Sequence, residues 1–295
     1  GQVAVITGGA GGIGWASAEQ WLANGGKVVL GDLQDDKGQK LAAQHPGSVV
    51  YLHCDTRRRE DLERLASAAA ELGQLTCWFN NAGFAFPRDS TSTLKHDGYT
   101  AELRNMIDVN LGAYIEGAGV ALRSFNKEKG GVIISTASMA GLLPLGAPPV
   151  YSTTKAAVVQ FTRSLGLTLG DKSNVLVYCL CPSYTATAQG PPTNMIKGTL
   201  GGVLKAEHMG EGFMMLATKR PANGSIMRVT VRGGGKRVVH DLIVYGRELG
   251  GKEKPREGIV MKESALDDMS EEEAADMDRE SDTGREHEGM RASKL

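Results

Sequence analysis

Short apolar segments alternate with longer, partly polar ones along the first 231 residues of the chain. Segments rich in β-branched and aliphatic residues predict strands at 2–7, 27–31, 49–53, 76–79, 131–134, 175–180 and 225–231. Between them, helical periodicity is strongest at 15–22, 61–72, 106–125 and 151–165. This alternation predicts an α/β fold: a doubly wound parallel sheet of about seven strands, covered by helices on both faces, in a single domain. Ligands of such a sheet bind beyond the carboxyl ends of its strands.

Composition and charge divide the chain into a folded body and a tail. Apolar residues make up 41% of the chain and charged residues 23%, which is typical of a globular protein. Residues 1–248 are predicted to form the folded domain, and residues 249–295 a flexible acidic tail. Within that tail, residues 261–295 hold twelve acidic and five basic side chains, a net charge of −7 against −1 for the whole chain.

The sequence excludes several kinds of partner. No cluster of Lys and Arg is long enough to indicate nucleic-acid binding, and the triplet Arg57-Arg58-Arg59 is interpreted as a solvated turn. No segment reaches the roughly 20 apolar residues of a membrane span. The cysteines are Cys54, Cys77, Cys179 and Cys181. Because they lie in or beside apolar segments without zinc-site spacing, they are predicted to be reduced, buried thiols, and no metal site is expected.

A glycine-rich turn follows the first predicted strand. Gly8, Gly12 and Gly14 let the backbone turn tightly and approach a pyrophosphate, and the helix that follows offers free N–H groups at its start. The second strand ends at Asp32, which is placed to accept hydrogen bonds from ribose hydroxyls and to repel a 2′-phosphate. No basic residue lies in the glycine turn itself. The sequence therefore predicts NAD rather than NADP as the cofactor.

Tyr151 and Lys155 are four residues apart in a predicted helix, so their side chains share one face. An ammonium beside a phenol favours the phenolate, so we expect the pKa of Tyr151 to fall from its usual value of about 10. A tyrosine with a lowered pKa can act as a general base. The same spacing is common on helices without any function, and the interpretation depends on the rest of the chain.

Together these motifs resemble the short-chain dehydrogenase/reductase family over residues 2–231. The motifs are Thr7-Gly8-x-x-x-Gly12-Ile13-Gly14, Asn80-Asn81-Ala82-Gly83, Asn110, Ser138 and Tyr151-x-x-x-Lys155, with Ser138 thirteen residues before Tyr151. The resemblance implies a Rossmann-like fold, an NAD-dependent oxidoreductase acting on CH–OH groups, and a homodimer or homotetramer. The residues Asn223–Met227 are similar to the 15-hydroxyprostaglandin dehydrogenase type within the family.

The resemblance also implies the catalytic roles. Tyr151 would take the proton from a substrate hydroxyl while hydride leaves the same carbon for the nicotinamide, and Ser138 would hold the substrate oxygen. Lys155 would bind the nicotinamide ribose and depress the pKa of Tyr151. Asn110 would hold a water that connects Lys155 to solvent.

A larger set of residues is implied to contact NAD. Asp55 would meet the adenine, and Asn81 would help to fix the glycine turn. The predicted cofactor set is Gly8, Gly12, Ile13, Gly14, Asp32, Asp55, Asn81, Ala82, Gly83, Tyr151, Lys155, Pro182, Thr185 and Thr187. One departure from the family is Ser183, which follows Pro182 where a Gly is usual. If that position requires a positive φ, a serine there is strained.

The substrate is predicted to be apolar. Residues 184–212 correspond to the substrate lid of the family, and His208 is interpreted as a lid-surface histidine. The mouth of the site is predicted to be lined by Phe84, Phe86, Leu142, Leu143 and Leu145. An apolar pocket with few charges suits a lipid-, steroid- or polyketide-like alcohol.

Two features of the C-terminal part complete the predictions. Gly233–Gly235 is interpreted as a hairpin turn rather than a second phosphate loop. Ser293-Lys294-Leu295 is the tripeptide that the peroxisomal import receptor reads, which predicts a peroxisomal location with a cytoplasmic one as the alternative.

We therefore expect a dehydrogenase that interconverts a secondary alcohol and a ketone, with the cellular NAD pool favouring oxidation. One alternative is a tailoring dehydrogenase of secondary-metabolite biosynthesis. A second, from another class, is a catalytically silent NAD-binding sensor or scaffold. A silent protein would tolerate loss of Tyr151 or Lys155, and both are present.

Overall fold

The computed structural model describes residues 1–84, 98–144, 149–170, 172–187, 202–232 and 237–243. The strands are β1 Gln2–Thr7, β2 Lys27–Asp32, β3 Val49–His53, β4 Gln74–Asn80, β5 Gly131–Thr136, β6 Val175–Pro182, β7 Ile226–Arg232 and β8 Arg237–Ile243. The helices are α1 Gly12–Ala23, α2 Asp35–Gln44, α3 Arg59–Leu72, α4 Ala101–Ile107, α5 Ala113–Ser124, α6 Pro149–Leu169 and α7 Ala206–Lys219. A π-helical turn, Asp108–Gly112, joins α4 to α5, and a 3₁₀ turn, Met139–Gly141, follows β5.

All eight described strands form one sheet in the order β3-β2-β1-β4-β5-β6-β7-β8. Neighbouring strands are parallel from β3 to β7, which confirms the predicted doubly wound α/β sheet. The strand order reverses direction between β1 and β4, and such a switch point opens a crevice at the carboxyl ends of the strands. The Rossmann-like fold thus places β1, β4 and their following turns where a ligand binds.

The sheet has one strand more than the predicted seven. β8 runs antiparallel to β7, and Arg232 pairs with Arg237 across the connection. The hairpin turn predicted at Gly233–Gly235 lies outside the described residues. The sequence pattern missed β8 because Arg237, His240 and Asp241 interrupt its apolar run.

Each face of the sheet has its own core, because successive strand residues point to opposite faces. In β4, Phe79 packs on the face that α1 and α7 cover, against Trp21 and Phe213. Its neighbour Trp78 packs on the other face, against Leu62 of α3. The helix predicted at 61–72 is confirmed, and it begins at Arg59.

The long helix predicted at 106–125 is wrong in two respects. It begins earlier, at Ala101, where the Thr100 hydroxyl accepts the Leu103 N–H at 3.4 Å. It is also interrupted by the π-helical turn, which contains Asn110. A π turn inserts an extra residue into a helix and is frequent at functional sites.

Two of the described helices, α2 and α7, were not predicted from the sequence. α2 buries only Gly38, so it lacks an apolar stripe. α7 occupies the end of the predicted lid and packs closely on α1, where a Cβ at Gly210 would lie 2.7 Å from the Ala16 carbonyl. The His240 ring of β8 also donates from Nε2 to the His208 carbonyl at 2.9 Å. His208 itself accepts the Lys205 N–H through Nδ1 and so helps to cap α7.

Several sequence predictions fall outside the described residues. They include the middle of the lid at 188–201, the mouth residues Phe86 and Leu145, and the tail with its Ser293–Leu295 tripeptide. The four cysteines are free and buried, as predicted. Within the described ranges, no helix combines the length and the apolar character needed to cross a membrane.

Candidate functional site

The turn between β1 and α1 requires glycine at several positions. Gly8 and Gly12 have φ angles of 63° and 53°, which favour glycine. A Cβ at Gly14 would collide with the Gly8 carbonyl. Gly11 caps α1 without a side-chain hydrogen bond, so the first N–H groups of the helix are available to an anion. The turn therefore fits the pyrophosphate of a dinucleotide, with Ile13 packed against the core below it.

Asn81 ties this turn to two strands. Its Nδ2 donates to the Thr7 and Gly8 carbonyls, each at 3.2 Å, and its Oδ1 accepts the Thr136 hydroxyl at 3.0 Å. The Ala82 N–H donates to Thr7 Oγ1 at 3.2 Å. The structure thus places Asn81 and Ala82 against the glycine turn.

Asp32 lies at the end of β2 with its carboxylate directed at the same turn. Its Oδ2 accepts the Ala10 N–H at 2.9 Å, and its Oδ1 accepts the Gln34 N–H at 3.1 Å. The structure adds a group that the sequence did not indicate. Lys37 of α2 extends its Nζ to the glycine turn, where it occupies the place of a Cβ at Gly11. The side of the glycine turn next to β2 therefore carries the Asp32 carboxylate and the Lys37 ammonium.

Asp55 follows β3 and is held by Arg57. The Arg57 guanidinium donates from Nε to Asp55 Oδ1 at 2.9 Å and from Nη1 to Asn105 Oδ1 of α4 at 2.8 Å. The hydrogen bonds from Arg57 hold the pKa of Asp55 below its usual value. Arg57 lies in an exposed turn before α3, as predicted, and its guanidinium also connects the predicted adenine contact to α4.

Ser138, Tyr151 and Lys155 meet beyond the carboxyl end of β5. Ser138 caps the 3₁₀ turn, and its Oγ accepts the Ala140 N–H at 3.1 Å. The Tyr151 and Ser138 side chains are hydrogen-bonded to each other. Lys155 is 4% exposed, and its Nζ lies 5.8 Å from the centre of the Tyr151 ring. Its Nζ also donates to the Thr136 carbonyl at 2.7 Å.

The prediction that the pKa of Tyr151 is lowered is wrong for the protein without a bound cofactor. Burial raises the pKa of Tyr151, and the hydrogen bond with Ser138 offsets this only in part. Burial also lowers the pKa of Lys155 to about 8, because a charged ammonium loses solvation in the interior. Burial is thus the largest influence on the pKa of both groups.

Asn110 lies fully buried in the π-helical turn. Its Nδ2 donates to the Phe84 carbonyl at 2.9 Å, and its Oδ1 accepts the Phe84 N–H at 3.1 Å. A Cβ at Gly83 would lie 3.0 Å from Asn110 Oδ1 and 3.6 Å from Lys155 Nζ. The structure therefore brings Asn110, Gly83 and Lys155 together, with the Asn110 amide bound to the Phe84 backbone.

The segment after β6 faces the glycine turn. Pro182 ends the strand, and the Ser183 N–H donates to the Val229 carbonyl at 2.8 Å. Among the described non-glycine residues only Arg220 has a positive φ, so Ser183 is not strained. The Thr185 hydroxyl donates to the Ser183 carbonyl at 3.2 Å, and Thr187 Cγ2 lies 3.2 Å from the position of a Cβ at Gly12.

Sequence reasoning missed Tyr114. This residue of α5 is 1% exposed, and Lys155 Nζ lies 5.2 Å from the centre of its ring. The signal was its spacing, because a residue four positions after Asn110 lies on the same face of a helix.

The surroundings of the cluster are apolar on the side that is described. Leu142 and Phe84 are half-buried, and Leu143 is 44% exposed. A groove of about 550 Å³ lies elsewhere, between α3 and α5 near the start of β4, at the opposite end of the strands. In the described part of the chain, no group of three or more His, Cys, Asp or Glu side chains is arranged to hold a metal ion.

Comparisons with known proteins agree with this geometry. Residues 2–195 match the sequence model of the short chain dehydrogenases. The mitochondrial borneol dehydrogenase of Lavandula x intermedia is 32% identical, covering 79% of this chain and 90% of that protein. The NAD(+) 15-hydroxyprostaglandin dehydrogenase of Bos taurus is 29% identical, covering 79% and 92%. The crystal structure of NADPH-dependent 3-quinuclidinone reductase from Rhodotorula rubra is 27% identical, with a TM-score of 0.66 over 80% and 91% of the two chains.

Proposed function

Because the chain belongs to the short-chain dehydrogenase family, we propose that it is an NAD-dependent oxidoreductase that interconverts a secondary alcohol and a ketone. The observation that carries the proposal is the meeting of Ser138, Tyr151 and Lys155 beside a turn that fits a dinucleotide. A nicotinamide cofactor would supply the hydride acceptor or donor. The residues of the chain would bind and orient the substrate oxygen and move its proton.

Tyr151 would exchange a proton with the substrate oxygen. Because burial raises its pKa, Tyr151 is a phenol at neutral pH and is ready to donate a proton to a carbonyl. Alcohol oxidation needs the phenolate, so that direction is expected to become faster as the pH rises. Ser138 is hydrogen-bonded to Tyr151 and would hold the same substrate oxygen. Lys155 would bind the ribose and contribute its positive charge near Tyr151.

The choice of NAD over NADP rests on Asp32. Its carboxylate faces the glycine turn, where it would accept hydrogen bonds from ribose hydroxyls and repel a 2′-phosphate. The name of the bovine relative specifies NAD(+), which supports this choice. Lys37 acts in the opposite sense, because its ammonium at Gly11 would attract a phosphate. We infer that Asp32 outweighs Lys37, because its carboxylate is fixed by two backbone N–H groups whereas Lys37 is an exposed side chain.

The substrate is inferred to be an apolar alcohol or ketone of lipid-, steroid- or polyketide-like character. Support comes from Phe84 and Leu142 beside the cluster, and from relatives named for borneol and a prostaglandin. The borneol relative also favours the second candidate, a tailoring dehydrogenase of secondary-metabolite biosynthesis. A homodimer or homotetramer is proposed on the basis of the family. A peroxisomal location is proposed on the tripeptide Ser293–Leu295, which lies outside the described residues.

The test is NADH formation from NAD across a panel of secondary alcohols, with Tyr151→Phe as the control. The panel includes hydroxyacyl thioesters, hydroxy fatty acids, steroids, bicyclic terpenoid alcohols and polycyclic polyketides. Turnover that disappears in Tyr151→Phe, while NAD binding is retained, supports the proposal. Turnover that is unchanged in Tyr151→Phe overturns the catalytic assignment. NAD binding without turnover of any alcohol favours the silent sensor or scaffold.

A further inference from the structure

Tyr114 brings a second phenol into the catalytic cluster. It lies in the first turn of α5, four residues after Asn110, and is 1% exposed. Lys155 Nζ lies 5.2 Å from the centre of the Tyr114 ring and 5.8 Å from that of Tyr151. The ammonium therefore lies over both phenol rings, and the face of each ring attracts a cation.

The hydroxyl of Tyr114 has no hydrogen-bond partner within the described part of the chain. A buried hydroxyl without a partner destabilises a folded protein, and phenylalanine would fill the same space without this cost. Tyr178, the other fully buried tyrosine among the described residues, does have a partner, since its hydroxyl donates to the Pro221 carbonyl at 2.6 Å. Packing alone therefore does not account for the hydroxyl of Tyr114.

The Tyr114 hydroxyl lies near Gly83, together with two other polar atoms. A Cβ added at Gly83 would lie 3.5 Å from Tyr114 Oη, 3.0 Å from Asn110 Oδ1 and 3.6 Å from Lys155 Nζ. Three polar atoms from two helical segments, one with Asn110 and Tyr114 and the other with Lys155, thus converge near Gly83. A molecule of the size of water, placed just beyond Gly83, would reach all three.

We propose that Tyr114 is a positioning residue of the proton path: its hydroxyl holds a water beside Lys155 and Asn110, and Lys155 exchanges its proton with solvent through this water. The inference rests on the proposed function, in which Tyr151 and Lys155 pass on the substrate proton. The water takes a proton from the Lys155 ammonium and releases one of its own toward solvent, so the number of protons on it is unchanged. Tyr114 keeps its proton throughout and donates it in a hydrogen bond to the water oxygen.

The charge state of Tyr114 agrees with this role. Burial raises the pKa of Tyr114, and the neighbouring Tyr151 raises it further, so the side chain remains a neutral donor. The titratable groups that face Lys155 are Tyr151 on its own helix, Tyr114 on α5, and Cys179 and Cys181 on β6. Burial raises the pKa values of Tyr114, Tyr151 and Cys181, so these groups are neutral near pH 7 and the water carries the Lys155 proton.

Tyr114→Phe is the direct test, because it keeps the ring beside Lys155 and removes only the hydroxyl. Alcohol oxidation is measured over a pH series in H₂O and in D₂O with the full-length chain. We expect kcat to fall about 10-fold, because positioned proton transfer is lost. The solvent isotope effect on kcat should rise, and KM for NAD should change by less than about twofold. The melting temperature should stay the same or increase.

Tyr178→Phe is the matched control. It should lower the melting temperature, because the hydrogen bond to Pro221 is lost, and leave kcat and the isotope effect unchanged. A wild-type kcat, pH profile and isotope effect in Tyr114→Phe would overturn the inference, as would an equal loss of kcat in Tyr178→Phe. Either result leaves the proposed function intact as long as Tyr151→Phe is inactive. An active Tyr151→Phe variant removes the proposed function instead.

Discussion

Neutralising Asp32 should change the cofactor preference of this enzyme more than any other single substitution. Asp32→Asn keeps the size of the side chain and one acceptor oxygen, but removes the negative charge that faces the glycine turn. The variant therefore separates the charge from the packing. We expect NADP to bind more tightly and NAD more weakly.

The magnitude follows from two electrostatic contributions. Two unit charges about 4 Å apart near a protein surface repel by up to about 4 kcal/mol, and salt reduces this energy. Removing about 2 kcal/mol of repulsion corresponds to about a 30-fold gain in kcat/KM for NADP. A charge-assisted hydrogen bond to a ribose hydroxyl exceeds a neutral one by about 1 kcal/mol, so NAD should lose about fivefold.

The assay is kcat/KM with NAD and with NADP for wild type and Asp32→Asn, at low and high salt. Lys37→Gln is the matched variant of opposite sign, because Lys37 Nζ lies at Gly11 of the same turn. It should reduce kcat/KM with NADP more than with NAD, and the difference should shrink as salt screens the charge. An NAD-to-NADP ratio that stays at the wild-type value in Asp32→Asn would refute the reasoning about the ribose. A melting temperature lowered by more than a few degrees would point instead to loss of the Ala10 hydrogen bond.

Three further predictions concern other parts of the molecule. Arg57→Leu should raise the dissociation constant of NAD several-fold and leave kcat near the wild-type value, because Asp55 and Asn105 lose their shared partner. Calorimetry measures the NAD affinity and steady-state kinetics measure kcat. An unchanged NAD affinity would contradict the prediction. The pKa of Lys155 is about 8 in the folded protein and 10.5 in the unfolded chain. Between pH 8 and 10.5 the Lys155 side chain is therefore protonated in the unfolded chain but largely neutral in the folded protein, and the free energy of unfolding rises with pH across this range. Urea denaturation of wild type and Lys155→Met over this pH range measures the effect. The free energy of unfolding of wild type should rise by up to about 3 kcal/mol relative to that of the variant. A difference between the two proteins that does not change with pH would contradict the prediction. A fluorescent protein fused to residues 249–295 should accumulate in peroxisomes. The same fusion without Ser293–Leu295 should stay in the cytosol. If both fusions have the same distribution, the proposed peroxisomal signal is wrong.

Local pattern was sufficient for the parallel sheet and for most of the site. The glycine turn, Asp32 and the Ser138–Tyr151–Lys155 set were predicted because each depends on residue type and on spacing along one short segment. Glycine allows a positive φ, and a Tyr four residues before a Lys lies on the same face of a helix, so both properties can be read from a short segment. Element bounds were less accurate, and the helix around Asn110 was wrong because a π turn has no distinctive spacing.

The contacts that adjust the site come from residues far apart in the sequence. Arg57 reaches Asn105, 48 residues away, and Lys37 reaches the glycine turn only because α2 packs beside β2 and β3. Tyr114 meets Lys155 because α5 and α6 meet at the carboxyl end of the sheet. Such pairings depend on how elements dock, and the periodicity of a single element carries no information about its neighbours.

The sign of the Tyr151 pKa shift was likewise decided by the tertiary structure. From the sequence, the nearby Lys155 predicts a lowered pKa, since only the attraction between the two groups can be read from their spacing. In the folded protein, burial raises the pKa of Tyr151 and lowers that of Lys155. The sequence by itself determined which groups are the candidates for the chemistry and where along the fold they lie. Only the tertiary structure decided their charge states, because the loss of solvation depends on everything that packs around them.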